Sequence, residues 1–205
     1  HLTVGQALDN ADHANAAFPE RPLEADKALK EMIHRYLATG LGLLVLAIAA
    51  VAWSNRRDPA QPVRLPGFLV LLVIFQGLLG MWTVTLLLKP AIVSAHLVGG
   101  LTTMALLWWL ALRVERTTRS AAESGLRSLA LFGLAVLAMQ ILLGGWVSTN
   151  YAALACPDFP TCQRSFWPDM DFKDAFVLWR GLGIDYEGGV LDHPARVAIH
   201  FVHRI

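Results

Sequence analysis

Residues 30–53 read KEMIHRYLATGLGLLVLAIAAVAW, and this stretch decides the fold class. From Tyr36 to Trp53 it holds 18 uncharged residues, close to the roughly 20 that a helix needs to cross a bilayer. Its first turns nevertheless carry Lys30, Glu31, His34 and Arg35. Ionisable groups at the edge of an apolar phase are costly unless compensated. A partner for these side chains therefore has to be found elsewhere in the chain.

Three more uncharged runs follow. Leu65–Leu88 holds 24 residues, Pro90–Leu112 holds 23, and a run from Ser128 continues to Pro157. Gly144–Gly145 and the STNY at 148–151 predict that this last helix stops near Ser148. A fifth helix is expected to open near Pro194. The whole chain of 205 residues is 55% hydrophobic and only 16% charged, a composition of polytopic membrane proteins rather than soluble domains. The reading is an all-α integral membrane protein, an antiparallel transmembrane helix bundle. A net charge of +1 gives no ground for nucleic-acid binding. Zinc-type spacings and glycine-rich phosphate loops are absent. The opening at His1 and the close on AIHFVHRI lead to the expectation of a piece of a longer protein.

Charge gives the direction. The loop at 54–64 carries Arg56, Arg57 and Arg64 against Asp58, and the loop at 113–127 carries four arginines against Glu115 and Glu123. The segment 150–192 is acidic, with seven carboxylates against Arg164, Lys173 and Arg180. Arginine-rich short loops stay cytoplasmic, so residues 1–30 and 149–194 are expected on the outer side, the periplasm of a bacterium. Transmembrane helices are expected over 31–112 and 128–148, with the start of another at 195–205. At 149–194 the connection is too long for a plain link. A cap on the membrane surface is expected there, with a short amphipathic helix over 171–180 and its Trp residues at the interface.

The first, third and fifth spans run in the same direction, and each has a histidine near its outer end: His34, His96 and His203. His96 lies six residues after Pro90, roughly 9 Å along a helix. A single such histidine is commonly a hydrogen-bonded packing residue. Three at similar depth suit a different task, because a bis-histidine heme takes neutral imidazole donors from neighbouring helices in an apolar pocket. Gly99 and Gly100 follow His96 and leave room either for a porphyrin edge or for close helix packing. His34 and His203 are each followed directly by arginine, Arg35 and Arg204. Guanidinium there pairs with a heme propionate or snorkels to lipid headgroups. A second echo joins QGLLGMWTVT (76–85) to QILLGGWVST (140–149). It suggests a duplicated helix plan, and with it two heme sites.

The stretches EMIHRYLA (31–38), QGLLGMWTVTLLLKPAIVSAHL (76–97), GGWVSTNYAALACPDFPTCQ (144–163) and HFVHRI (200–205) resemble the heme A synthase family, in its proteobacterial form. The resemblance implies part of an eight-helix, pseudo-symmetric fold of two halves, without the first helix and those after the start of the sixth. It implies that His34 and His96 are the axial ligands of heme O or heme A, and that His203 is one axial ligand of a heme b whose second ligand lies outside this chain. It further implies conversion of the position-8 methyl of heme O to the formyl of heme A, for terminal oxidases. Two successive oxidations, with loss of water from a geminal diol, lead there. Expected neighbours are membrane lipid, heme O synthase, terminal-oxidase assembly factors and further copies of the chain. A rival reading is a di-heme electron-transfer subunit of cytochrome b type, and a more distant one is a transporter without heme.

Glu31 sits three residues before His34, on the same helical face. From the residues alone it is an interfacial carboxylate, solvated or paired with Lys27 or Arg35. The resemblance implies instead the catalytic glutamate, a base held beside the ring edge. Cys156 and Cys162 are the only cysteines, and two thiolates are too few for a structural zinc site. An oxidising compartment permits a disulfide between them, worth about 2 kcal/mol for so short a loop. The pair is read as a staple or as a redox-active couple, and the resemblance supports the bond itself.

Overall fold

The computed structural model describes residues 25–115 and 124–205, together with residue 16. Most of the expected outer segment 1–30, and residues 116–123 of the loop at 113–127, thus lie outside the described residues. The chain divides into two compact units, 1–48 and 49–205, each described by itself.

Described residues form helices and loops: α1 (Ala25–Ser54), α2 (Arg64–Thr85), α3 (Pro90–Val114), α4 (Ser124–Thr149), α5 (Phe172–Ala175) and α6 (His193–Arg204). Four of these helices, α1 to α4, are long and apolar enough to cross a membrane. They turn large apolar side chains outward, among them Leu71, Trp108 and Phe132. An aqueous surface does not tolerate so much contiguous apolar area, whereas lipid does. Proline opens both α3 and α6, where its missing N–H costs nothing. In the second unit the helices pack in chain order, α2 on α3, α3 on α4 and α4 on α6, with α5 against α6. The core lies between α4, α6 and the chain joining them, around Trp146, Ala152, Leu191, Ala198 and Ile199.

α2 and α4 end in the same way. Leu86, Leu87 and Leu88 donate to Trp82, Val84 and Thr83, and Asn150, Tyr151 and Ala152 donate to Trp146, Ser148 and Val147. Every partner is displaced by the same 64 positions, and both sets form the Schellman closure of a helix. Leu87 (φ 52°) and Tyr151 (φ 53°) take the left-handed position that usually goes to glycine. Thr85 and Thr149 bond back to the carbonyls of Met81 and Gly145. The sequence echo is therefore a structural repeat. It also corrects one expectation: α2 stops at Thr85, because closure uses Leu86–Leu88.

The 149–194 segment is a folded cap. Its expected helix over 171–180 is shorter, Phe172–Ala175. Asp171 caps the start. Side chains satisfy the carbonyls at its end: Trp146 Nε1 donates to Ala175 O (2.9 Å) and Arg180 Nη2 to Asp174 O (2.6 Å). Lys89, only 1% exposed, clasps the cap to the α2–α3 turn. Its Nζ donates to Arg180 O (2.6 Å) and Gly181 O (3.3 Å) and lies 3.4 Å above the Trp179 ring. Tyr186 N adds a bond to Leu87 O at 3.2 Å. Trp167 meets Phe201 edge-on at 5.6 Å.

Candidate heme-ligand and disulfide site

On α1, Glu31, His34 and Arg35 occupy one turn. Arg35 Nη2 donates to Glu31 Oε1 at 2.6 Å, with both side chains more than half exposed. This is the interfacial pairing that the residues alone suggested. His34 is exposed. It belongs to the first unit, and His96 and His203 belong to the second.

On the second unit each histidine lies against a glycine of the preceding repeat helix. A methyl group at Gly80 of α2 would stand 3.4 Å from His96 Cε1 and 3.8 Å from Nε2. At Gly144 of α4 it would stand 3.1 Å from His203 Nε2. Gly80 and Gly144 are the same position of the echoed motif, 64 residues apart. The duplicated plan thus supplies the same seat twice, a hollow without a side chain against which an imidazole rests. Both residues are partly exposed. Imidazoles carried on neighbouring helices are the donor type that axial ligation of a flat macrocycle uses.

Of the two glycines after His96, Gly100 faces open space and Gly99 does something else. Gln76 is 8% exposed and donates Nε2 to His96 O at 3.2 Å. A methyl group on Gly99 would fall 1.9 Å from that nitrogen. Gly99 is therefore a notch for Gln76, which settles it as helix packing rather than space for a porphyrin edge. Thr103 donates to Gly99 O from the next turn.

Cys156 and Cys162 are joined in a disulfide, and both are buried. Asp158 shapes the ring between them, accepting from Thr161 Oγ1, from Gln163 N (2.6 Å) and from Arg164 N (2.9 Å). The Thr161 hydroxyl and these amides hold its carboxyl below the ordinary aspartate range. Arg204 reaches into the ring from α6. Its Nη1 donates to Asp158 O (2.7 Å) and Thr161 O (2.8 Å), and its Nη2 to Cys156 O (2.9 Å). One turn earlier, His200 Nδ1 lies 3.0 Å from Ala152 O and 3.3 Å from Cys156 N.

A family model described as cytochrome oxidase assembly protein, COX15-CtaA, matches residues 3–205. The chain belongs to the COX15-CtaA family. Among its relatives is the heme A synthase of Shewanella oneidensis, 45% identical over the whole of this chain and 62% of its own length. The heme A synthase of Caulobacter vibrioides is 31% identical over 91% of this chain and 54% of its own. That of Novosphingobium aromaticivorans is 29% identical over 85% and 50%. The COX15-CtaA chain thus spans between half and two thirds of these relatives' lengths. No solved structure matches it. It is a multi-pass membrane protein, with four helices fit to cross the bilayer.

Several working residues of this COX15-CtaA chain escaped the sequence reading. Gly80 and Gly144 were inside the echoed motif, and the echo was the available signal. His200 had one too: PAIVSAH (90–96) and PARVAIH (194–200) share Pro-Ala-x-Val-x-x-His, which places His200 in the register of His96. For Lys89 there was no local signal.

Proposed function

We propose that the protein of which this chain is part is a heme A synthase, oxidising the position-8 methyl of heme O to the formyl group of heme A. The observation that carries this reading is the 45% identity to the Shewanella heme A synthase over the full chain. The match covers the whole of this chain, so the stretch of every proposed site residue lies inside it. Heme O is the substrate and heme A the product. A heme b is the resident cofactor, whose iron supplies one-electron chemistry when bound.

In this reading His34 and His96 hold the substrate heme from two helices, and His203 supplies one ligand to heme b. The glycine seats support it in so far as each admits an imidazole against a bare stretch of helix backbone. Glu31 accepts the proton lost as the methyl carbon is oxidised, which requires it to leave Arg35 for the substrate. Arg35 is then the cation available to a propionate. The arginine-rich loops support a position of both heme sites toward the periplasmic side of the inner membrane, and the proposed whole is an eight-helix fold of two halves. Membrane lipid, heme O synthase, oxidase assembly factors and further copies of the chain are the proposed neighbours.

Product analysis of the full-length protein tests the function. Glu31→Gln is expected to retain heme O and yield no heme A, and His34→Leu to lose heme from the N-terminal site. Wild-type heme A yield from Glu31→Gln would remove the catalytic role. A wild-type protein that binds two hemes but never yields heme A would favour the cytochrome b-type electron carrier. One without a Soret band would favour a transporter.

A further inference from the structure

We propose that the ring closed by the Cys156–Cys162 disulfide is a socket for the guanidinium of Arg204, and that Arg204, so held, is a positioning residue for the adjacent imidazole of His203. The proposal rests on His203 being an iron ligand.

The acceptor set carries it. Three main-chain carbonyls of one seven-residue ring, those of Cys156, Asp158 and Thr161, converge on a single side chain at 2.7–2.9 Å. Carbonyls of a short loop do not turn inward unless the loop is shaped for it. Here the disulfide fixes the two ends, and the Asp158 carboxylate gathers Thr161, Gln163 and Arg164. The Phe159 ring closes over the guanidinium at 5.7 Å. A planar fork of five fixed donors meets carbonyls lying in several directions. A lysine ammonium at the end of a flexible stem does not reproduce that set.

The socket matters because of what lies beside it. Residues 200 and 204 share one face of α6, and both bind the chain leaving α4. His200 does so through Ala152 and Cys156. His203 lies between these anchors in sequence, with its ring on Gly144. The disulfide loop therefore fixes the rotation of α6 about its axis, and with it the direction of the His203 ring. This assigns the Arg204 guanidinium to the protein rather than to a propionate.

The test uses the heme-loaded full-length protein in detergent, with Arg204→Lys, Arg204→Gln, Cys156→Ser and the doubles. Two quantities are read: the rate at which dithiothreitol reduces the disulfide, and the midpoint potential with the EPR g-values of the low-spin heme. The socket predicts that both arginine variants lose protection of the disulfide, which is reduced about tenfold faster, the factor set by one lost hydrogen bond to a charged donor. It predicts that Arg204→Lys fails to restore the native potential and g-values. Reducing the disulfide of the unsubstituted protein produces the same shift, and the double variant is no worse than the worse single. Native reduction rates in both arginine variants overturn the socket. Native g-values in Arg204→Lys, or additive shifts in the double variant, overturn the positioning role and return Arg204 to a propionate. A separate His203→Ala variant checks the foundation: loss of one heme equivalent upholds ligation, and full heme content overturns ligation and positioning together.

Discussion

At Gly144 the absence of a methyl group is a matter of a few tenths of an ångström. A Cβ 3.1 Å from His203 Nε2 forces the ring to move, whereas the 3.4 Å approach at Gly80 is ordinary contact. Gly144→Ala is therefore expected to displace the imidazole and lower heme retention at the second site several-fold, with Gly80→Ala much milder. Heme content per polypeptide after purification checks the pair, and equal retention in the two variants would contradict the seat. The histidines were legible in the sequence because an ionisable ring in an apolar run needs a reason. Their glycine seats were not, because a hollow is defined by what a different helix puts into it. Glu31 shows the opposite limit. Its pairing with Arg35 was legible as an i, i+4 contact, and its proposed chemistry came only through likeness to other chains.

The cap 149–194 is held by few strong contacts, and two can be tested. Lys89→Met keeps the stem of this buried side chain and removes its charged hydrogen bonds to the Arg180 and Gly181 carbonyls. A loss of about 2 kcal/mol is expected, read as earlier proteolysis of the cap and a lower melting temperature. Unchanged proteolysis would show that the clasp is dispensable. Asp158 sets an acid limit. Its folded carboxyl titrates below the ordinary value of 3.8 because Thr161 and two amides favour the ionised form. Its contribution is thus complete above 3.8 and is lost as pH falls below that value toward the folded one. Melting temperature measured from pH 5 downward is expected to drop more steeply in the unsubstituted protein than in Asp158→Asn, and parallel curves would contradict the assignment. The cap was legible as a structured element from its length and aromatic content. The shortness of α5 was not, because the partners of its end carbonyls, Trp146 and Arg180, come from outside the helix.

For the molecule as a whole, charge asymmetry makes a claim about sidedness. A cysteine introduced as Leu154→Cys is expected to react with an impermeant maleimide added from the periplasmic face. One introduced as Gln61→Cys is expected to react only after the inner membrane is opened. The reverse pattern would invert the assignment. The native cysteines do not interfere, being joined to each other. Four spans were legible because lipid demands unbroken apolar length; α2 stops three residues early where hydrogen bonds close it, whereas α1 begins at Ala25, eleven residues before the apolar run, because a helix can continue through charged residues beyond the bilayer edge. The 64-residue repeat was visible as letters, but its meaning, matching helix endings and glycine seats at equivalent positions, needed coordinates.

Adjacent glycines on α4 look two ways. Gly144 meets His203 of α6, while Gly145 meets Leu97 and Ser94 of α3, which flank His96. At that level α4 is a party wall one backbone thick, with no side chain to cushion either neighbour. A nudge to the tenant on one side is felt directly on the other.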